Sequence, residues 1–184
     1  METAMHGKVN VDRKVWFSMW FLSAIVTFGL AFFPMFYRLA EGRNKHFSHE
    51  AELEKQVADY LKSNGKQPPA LSARLPERNS KAWAVSIILV IPAFVITYLL
   101  SRDLVVHERS QDVFLAAAFP ERMFMPQTIP IKTYVLITIV TLGFGGIYWL
   151  YKVTNLYNAH FKAQAQVEKE ITKLMEEKRS VGSM

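Results

Sequence analysis

The chain has no cysteine in its 184 residues. That excludes disulfides, thiolate metal sites and cysteine nucleophiles. Glycine is sparse, and its one cluster, Gly143-Phe144-Gly145-Gly146, lies in an apolar run with no Lys-Ser or Lys-Thr behind it. It is therefore not a phosphate-binding loop. Charge is missing from three long stretches, Val15 to Tyr37, Ala82 to Ser101 and Thr133 to Tyr151, of 23, 20 and 19 residues. With no ionisable group inside them, these runs offer no path for ions or protons. Asp103, His107, Glu108 and Ser110 carry reactive atoms, but they are spaced as a polar segment leaving an apolar one, so no catalytic residue is assigned.

What the chain does have is apolar length. About 20 apolar residues at about 1.5 Å each cross a hydrocarbon layer of about 30 Å. The three runs meet that length, and the expected fold is an all-α integral membrane protein of three transmembrane helices. The first run is too long for a signal-peptide core and lacks a small-x-small cleavage site, so it is expected to be retained. Basic residues number 7 before the first run and between the second and third, and 15 elsewhere. Positive-inside bias then places the N-terminus outside and the C-terminus in the cytoplasm, in the cell membrane.

The net charge of +6 flanks apolar runs and alternates with glutamate, without a basic face carrying interleaved aromatics. Lipid and other integral membrane subunits are the expected partners, and nucleic acid is not. Two polar stretches read as cytoplasmic amphipathic helices: His46 to Leu61, with Leu53, Val57 and Leu61 at helical spacing, and the tail, with Val167, Ile171, Leu174 and Met175 on one stripe. Residues 63–81, rich in Ser, Asn, Gly and Pro, read as a linker.

The sequence repeats itself. At an offset of 114, residues 25–55 and 139–169 align without a gap and agree at 11 of 31 positions, including Thr27/Thr141, Gly29/Gly143, Asn44/Asn158 and His46/His160. The expected organisation is an extracytoplasmic segment at 1–14, repeat 1 at 15–62, the linker, a span at 82–101, an outer or interfacial loop at 102–129, repeat 2 at 130–178 and a tail at 179–184. Within the repeats, Thr27, Gly29, Thr141, Gly143 and Gly146 are expected to pack helices closely. Tyr37, Arg38, Trp149, Tyr151 and Lys152 read as interfacial anchors. Asn44 and Asn158 read as helix caps.

Thr141-x-Gly143, the Tyr148-Trp149 pair, Lys152 and Asn158 resemble the signature of a family of small bacterial and archaeal integral-membrane proteins of unassigned function. The first copy keeps Thr27, Gly29, Arg38 and Asn44 but has Pro34 and Met35 in place of the Tyr-Trp pair. The resemblance implies an integral-membrane protein and brings no reaction or cofactor with it.

The functional expectation is a non-catalytic accessory subunit of a larger membrane complex, for example a copper membrane monooxygenase of the ammonia- or methane-oxidising kind or a respiratory complex. The alternatives are a small oligomeric transporter and a membrane-bound metal or small-ligand binder. For the last, His46, His49 and Glu50 sit on one helix face, and His160 meets His46 if the two copies pack together. No cofactor or metal is assigned in the leading reading.

Overall fold

Each of the three uncharged runs turns back on itself near its middle. In the first, Gly29 takes φ +92° and its N–H reaches the Ala24 carbonyl at 2.7 Å, which closes a helix in the Schellman manner. Thr27 Oγ1 donates to the Ser23 carbonyl at 2.7 Å and accepts from the Ala31 N–H at 3.0 Å, so one side chain ends one helix and starts the next. The third run does the same. Gly143 has φ +100°, its N–H meets the Thr138 carbonyl at 2.8 Å, and Thr141 Oγ1 joins the Ile137 carbonyl to the Gly145 N–H at 2.7 Å each. The middle run turns at Val90, with φ 62° and ψ −54°, just before Pro92 in the first turn of the next helix.

The structure, a computed structural model, describes residues 14–119 and 128–181. The helices are α1 (Phe17–Val26), α2 (Phe32–Ser63), α3 (Ser80–Ser86) with a 3-10 turn (Ile87–Leu89), α4 (Ile91–Ala118), α5 (Ile131–Val140) and α6 (Phe144–Val181). In each hairpin the first arm runs antiparallel to the second: Trp20 lies 5.4 Å from the Arg38 guanidinium, Phe21 lies 6.5 Å from Phe32, and Tyr134 stacks 6.2 Å from Trp149.

These turns correct the membrane-spanning reading. Among the described residues, no helix is long and apolar enough to cross a membrane. The transmembrane helices, the integral-membrane location and the N-outside, C-cytoplasmic orientation fall together. The runs have the length of a span, but folding back halves their reach to about 15 Å per ten-residue arm. The supposed outer loop is corrected too, because residues 102–118 continue α4. Of that segment, residues 120–127, with Pro120 and Pro126, lie outside the described residues, as do residues 1–13 and 182–184.

The long helices α2, α4 and α6 all start at a hairpin tip and run in the same direction, since their contacts rise together. Arg43 meets Asp103, His46 meets His160, and Gln111 and Gln164 both meet Glu50. The result is a parallel three-helix bundle with three short arms folded back against it: α5 lies along α6, α1 against both α2 and α6, and α3 mainly against α2. Both repeat copies take this form, and the middle unit has the same shape without the Thr-x-Gly turn.

Two apolar clusters bracket the bundle. Near the hairpins, Met35, Phe36, Ile96, Leu100, Trp149 and Val153 are buried together. At the far end, Val57, Leu61, Phe114, Leu115, Ile171 and Met175 form the second cluster. Each fully buried aliphatic side chain stabilises the fold by about 1.5–3 kcal/mol. Between the clusters lies a band of buried polar groups.

Several repeated positions have roles other than those expected of them. Thr27, Gly29 and Thr141 build turns rather than helix contacts, while Gly143 builds a turn and also lies against Phe94 of α4, 3.3 Å from where its Cβ would be. Gly146 does pack closely: a Cβ there would sit 2.2 Å from the Phe94 ring. Trp149 is no interfacial anchor; it is 2% exposed and its indole N–H donates to Ser101 Oγ at 3.0 Å. Arg38 is exposed beside Trp20, Lys152 lies 5.7 Å from the Tyr148 ring, and Tyr151 packs edge-on to Phe17 while Tyr37 is half-buried. Asn44 and Asn158 lie inside α2 and α6 and cap neither.

Candidate metal centre

The polar band is built in layers, because residues four apart on a helix lie above one another. Each long helix contributes one residue to each layer. Nearest the hairpins, Arg43 of α2 pairs with Asp103 of α4 at 2.9 Å, while Arg78 holds the same carboxylate through two contacts of 3.0 Å. Arg43 is 1% exposed; burial pulls its guanidinium below its usual pKa and Asp103 opposes that shift. Tyr157 of α6 completes the layer, donating to the Leu100 carbonyl at 2.9 Å, with burial raising its phenol.

The next layer is three histidines. His46, His107 and His160 are all buried, and their ligand nitrogens lie within 4.8 Å of one another. His46 Nε2 and His160 Nε2 are 2.9 Å apart. His160 Nδ1 lies 3.0 Å from Glu108 Oε1. A carboxylate accepts, so that Nδ1 carries the proton and Nε2 turns its lone pair toward His46. His107 Nε2 is buried without a hydrogen-bond partner. Burial foremost, and then the neighbouring His160, His46 and Arg43, lower the His107 pKa to about 2. Its imidazole is neutral at any ordinary pH, the state a metal ligand requires.

One turn further on comes the third layer, Glu50, Gln111 and Gln164. Glu50 Oε2 accepts from the amide of Gln164 at 2.6 Å and from that of Gln111. Aromatic rings wall the histidines: Phe47 stacks 4.1 Å from His107, and Phe161 lies 4.6 Å from His46. The repeated His-Phe dipeptide therefore supplies two of the histidines and both rings.

A cavity of about 290 Å³ reaches from the surface to His107 and Glu50. Its wall includes the linker at residues 64–79, which is tied down at several points. Glu54 accepts from the Ser72 N–H and hydroxyl at 2.9 and 2.6 Å, Arg43 donates to the Pro76 carbonyl at 2.7 Å, and Asn44 grips the Arg78 backbone.

Of the metal candidates visible in the sequence, His46 and His160 are brought together and Glu50 lies a turn beneath them. His49 is not part of the group; it points outward to Glu168 at 3.2 Å. The third histidine, His107, falls in a segment expected to be a loop on the far side of a membrane. The available signal is spacing: Asp103, His107 and Gln111 recur every four residues, the rhythm of His46, Glu50 and Glu54 and of His160, Gln164 and Glu168.

Three imidazoles from three helices, one oriented by a carboxylate and one with an unpartnered nitrogen, fit a transition-metal ion. A tetrahedral ion with bonds of about 2.0–2.1 Å holds its nitrogen ligands about 3.3 Å apart. The His46 and His160 nitrogens are 2.9 Å apart and all three lie within 4.8 Å, which brackets that distance, and His107 alone of the three lines the cavity. Comparison with protein-family models, with curated proteins and with solved structures finds no match to this chain.

Proposed function

We propose that this chain binds one first-row transition-metal ion, zinc or copper, through His46, His107 and His160. The observation that carries this reading is the convergence of three buried histidine nitrogens within 4.8 Å from three separate helices. An all-imidazole donor set suits Zn and Cu and disfavours Mg or Ca, which prefer oxygen. The Glu108 contact fixes the orientation of the His160 ring. His107 lines the cavity, which brings this side of the site within reach of water or a small ligand.

The accessory-subunit reading drew its support from three membrane spans, and the hairpins withdraw that support. The histidine cluster supports metal binding by this chain itself.

The test is metal content and affinity. Purified protein, stripped by chelator and reloaded, is expected to hold about one Zn²⁺ per chain by elemental analysis. Co²⁺ substitution is expected to give the absorption of a low-coordinate nitrogen site. His46→Ala, His107→Ala and His160→Ala each lose the ion, whereas His49→Ala retains it. Substoichiometric metal in the wild type, or equal loading of all four variants, overturns the reading.

A further inference from the structure

The end of the molecule opposite the polar layers is built from the three hairpin tips, and it is apolar without a covering. Phe28 is 99% exposed and Leu142 is 92% exposed, with Ile88, Leu89 and Ile91 exposed beside Val90. The tips belong to one surface, because Phe28, Ile88, Val90 and Gly146 line a single groove of about 470 Å³ and Phe94 lies against both Gly143 and Gly146. A contiguous apolar patch of this kind marks a docking surface.

Charge identifies the occupant. The residues that end the three uncharged runs are Lys14, Arg38, Lys81, Arg102, Lys132 and Lys152, and every one of the six is basic. Because each run folds back at its tip, all six stand toward the feet of the hairpins. Counted along the chain, Arg38 is ten residues from Phe28, Lys132 and Lys152 are each ten from Leu142, and Lys81 is nine from Val90, with Arg102 twelve from Val90 and Lys14 fourteen from Phe28. Ten helical residues rise about 15 Å, half of a hydrocarbon layer of about 30 Å. Aromatic rings accompany the cations at this level: Trp20 beside Arg38, and Tyr148 beside Lys152.

We infer that the hairpin tips seat in one leaflet of an anionic lipid surface, entering and leaving on the same side. The apolar arms meet acyl chains, the basic feet meet phosphate headgroups, and the bundle with its histidines stands in the water above. Cations with aromatic rings at headgroup level, below a polar body, are the pattern of an interfacial seat. A second copy of the chain is the poorer occupant, because face-to-face docking would oppose two rings of six positive feet across the contact.

The test adds purified protein, freed of detergent, to preformed vesicles of phosphatidylcholine alone or of phosphatidylcholine with phosphatidylglycerol at about 7:3, followed by flotation. The chain is expected to float with the anionic vesicles and much less with the neutral ones. Phe28→Glu with Leu142→Glu changes two exposed tips, leaves the metal stoichiometry intact and is expected to cut flotation at least about tenfold. Trypsin outside the vesicles is expected to reach both ends of the chain. Equal flotation of the double variant, protection of one end from trypsin, or a discrete lipid-free oligomer that does not float would each overturn the inference.

Discussion

Asn44 and Asn158 make the same pair of hydrogen bonds, 114 residues apart. Asn44 accepts from the Arg78 N–H at 3.0 Å and donates to the Arg78 carbonyl at 2.7 Å. Asn158 accepts from the Val15 N–H at 3.0 Å and donates to the Val15 carbonyl at 2.8 Å. Each carboxamide thus satisfies both backbone groups of one residue outside the helices. Arg78 and Val15 both stand just before a hairpin, so each clamp ties the foot of a hairpin to a long helix of the bundle.

Asn44→Ala and Asn158→Ala are therefore expected to destabilise the fold by about 1–3 kcal/mol each, through the two lost clamp bonds and a backbone left partly unsatisfied, with Asn44 also losing the bond it accepts from Arg43. Aspartate keeps the acceptor and loses the donor, so Asn158→Asp should fall between wild type and alanine. Denaturant titration checks the order. Equal stability of all three proteins would remove the clamp as a stabilising contact.

The hairpin tips are strained, and the strain is testable. Phe28, Val90 and Leu142 are the non-glycine residues with positive φ among those described. A β-branched residue is the costliest of these, so Val90→Gly should raise stability by about 1–2 kcal/mol. Gly42→Ala should also stabilise, by about 0.5–1 kcal/mol, because Gly42 lies inside α2 with open space where a Cβ would be added. Gly146→Ala should do the reverse, since the new methyl would collide with Phe94. Thermal unfolding of the three variants gives the signs directly.

The helical class and the repeat were legible in the sequence because both depend on local spacing. Gly29 and Gly143 were legible as special positions but not as turns. The same Thr-x-Gly that closes a helix also reads as a close-packing face, and apolar composition favours the second reading. His46 with His160 was visible through the repeat. His107 was not, because no copy of the repeat covers it, and treating residues 82–101 as a span sends it to the far side of a membrane. The fold brings it back by reversing the chain at Val90, a tertiary event that counting apolar residues does not detect.

His107 also sets a pH dependence in the metal-free protein. Its imidazole is enclosed by His46, His160, Arg43 and Phe47, and burial leads the neighbouring groups in lowering its pKa to about 2. In the unfolded chain a histidine titrates near 6.5. Below that pH the unfolded chain takes up a proton that the folded chain refuses. Stability attributable to this residue is thus complete above about pH 6.5 and falls as pH drops toward 2, by up to about 1.4 kcal/mol per unit. The difference between wild type and His107→Phe, measured by denaturant titration from pH 7 to pH 4 with chelator present, isolates it. The variant is expected to show the shallower slope, and parallel slopes would contradict a neutral buried imidazole.

The Arg43–Asp103 pair yields the sharpest stability contrast. Arg43 is 1% exposed and Asp103 is 2% exposed. Removing the carboxylate strands a buried guanidinium, which costs about 3–5 kcal/mol, whereas replacing both ends of a buried pair by apolar groups is often close to neutral. Asp103→Leu alone should therefore be much less stable than Arg43→Met with Asp103→Leu together. Arg78 lowers the contrast to some degree, because it also loses its partner in both proteins while remaining able to reach solvent. Since this layer lies one turn from the histidines, the single variant should weaken Zn²⁺ binding as well, through a displaced α4, and the double variant should restore part of it. If metal affinity is unchanged in the single variant while stability falls, the layers are independent of one another. In that case the ion pair serves the fold without positioning His107.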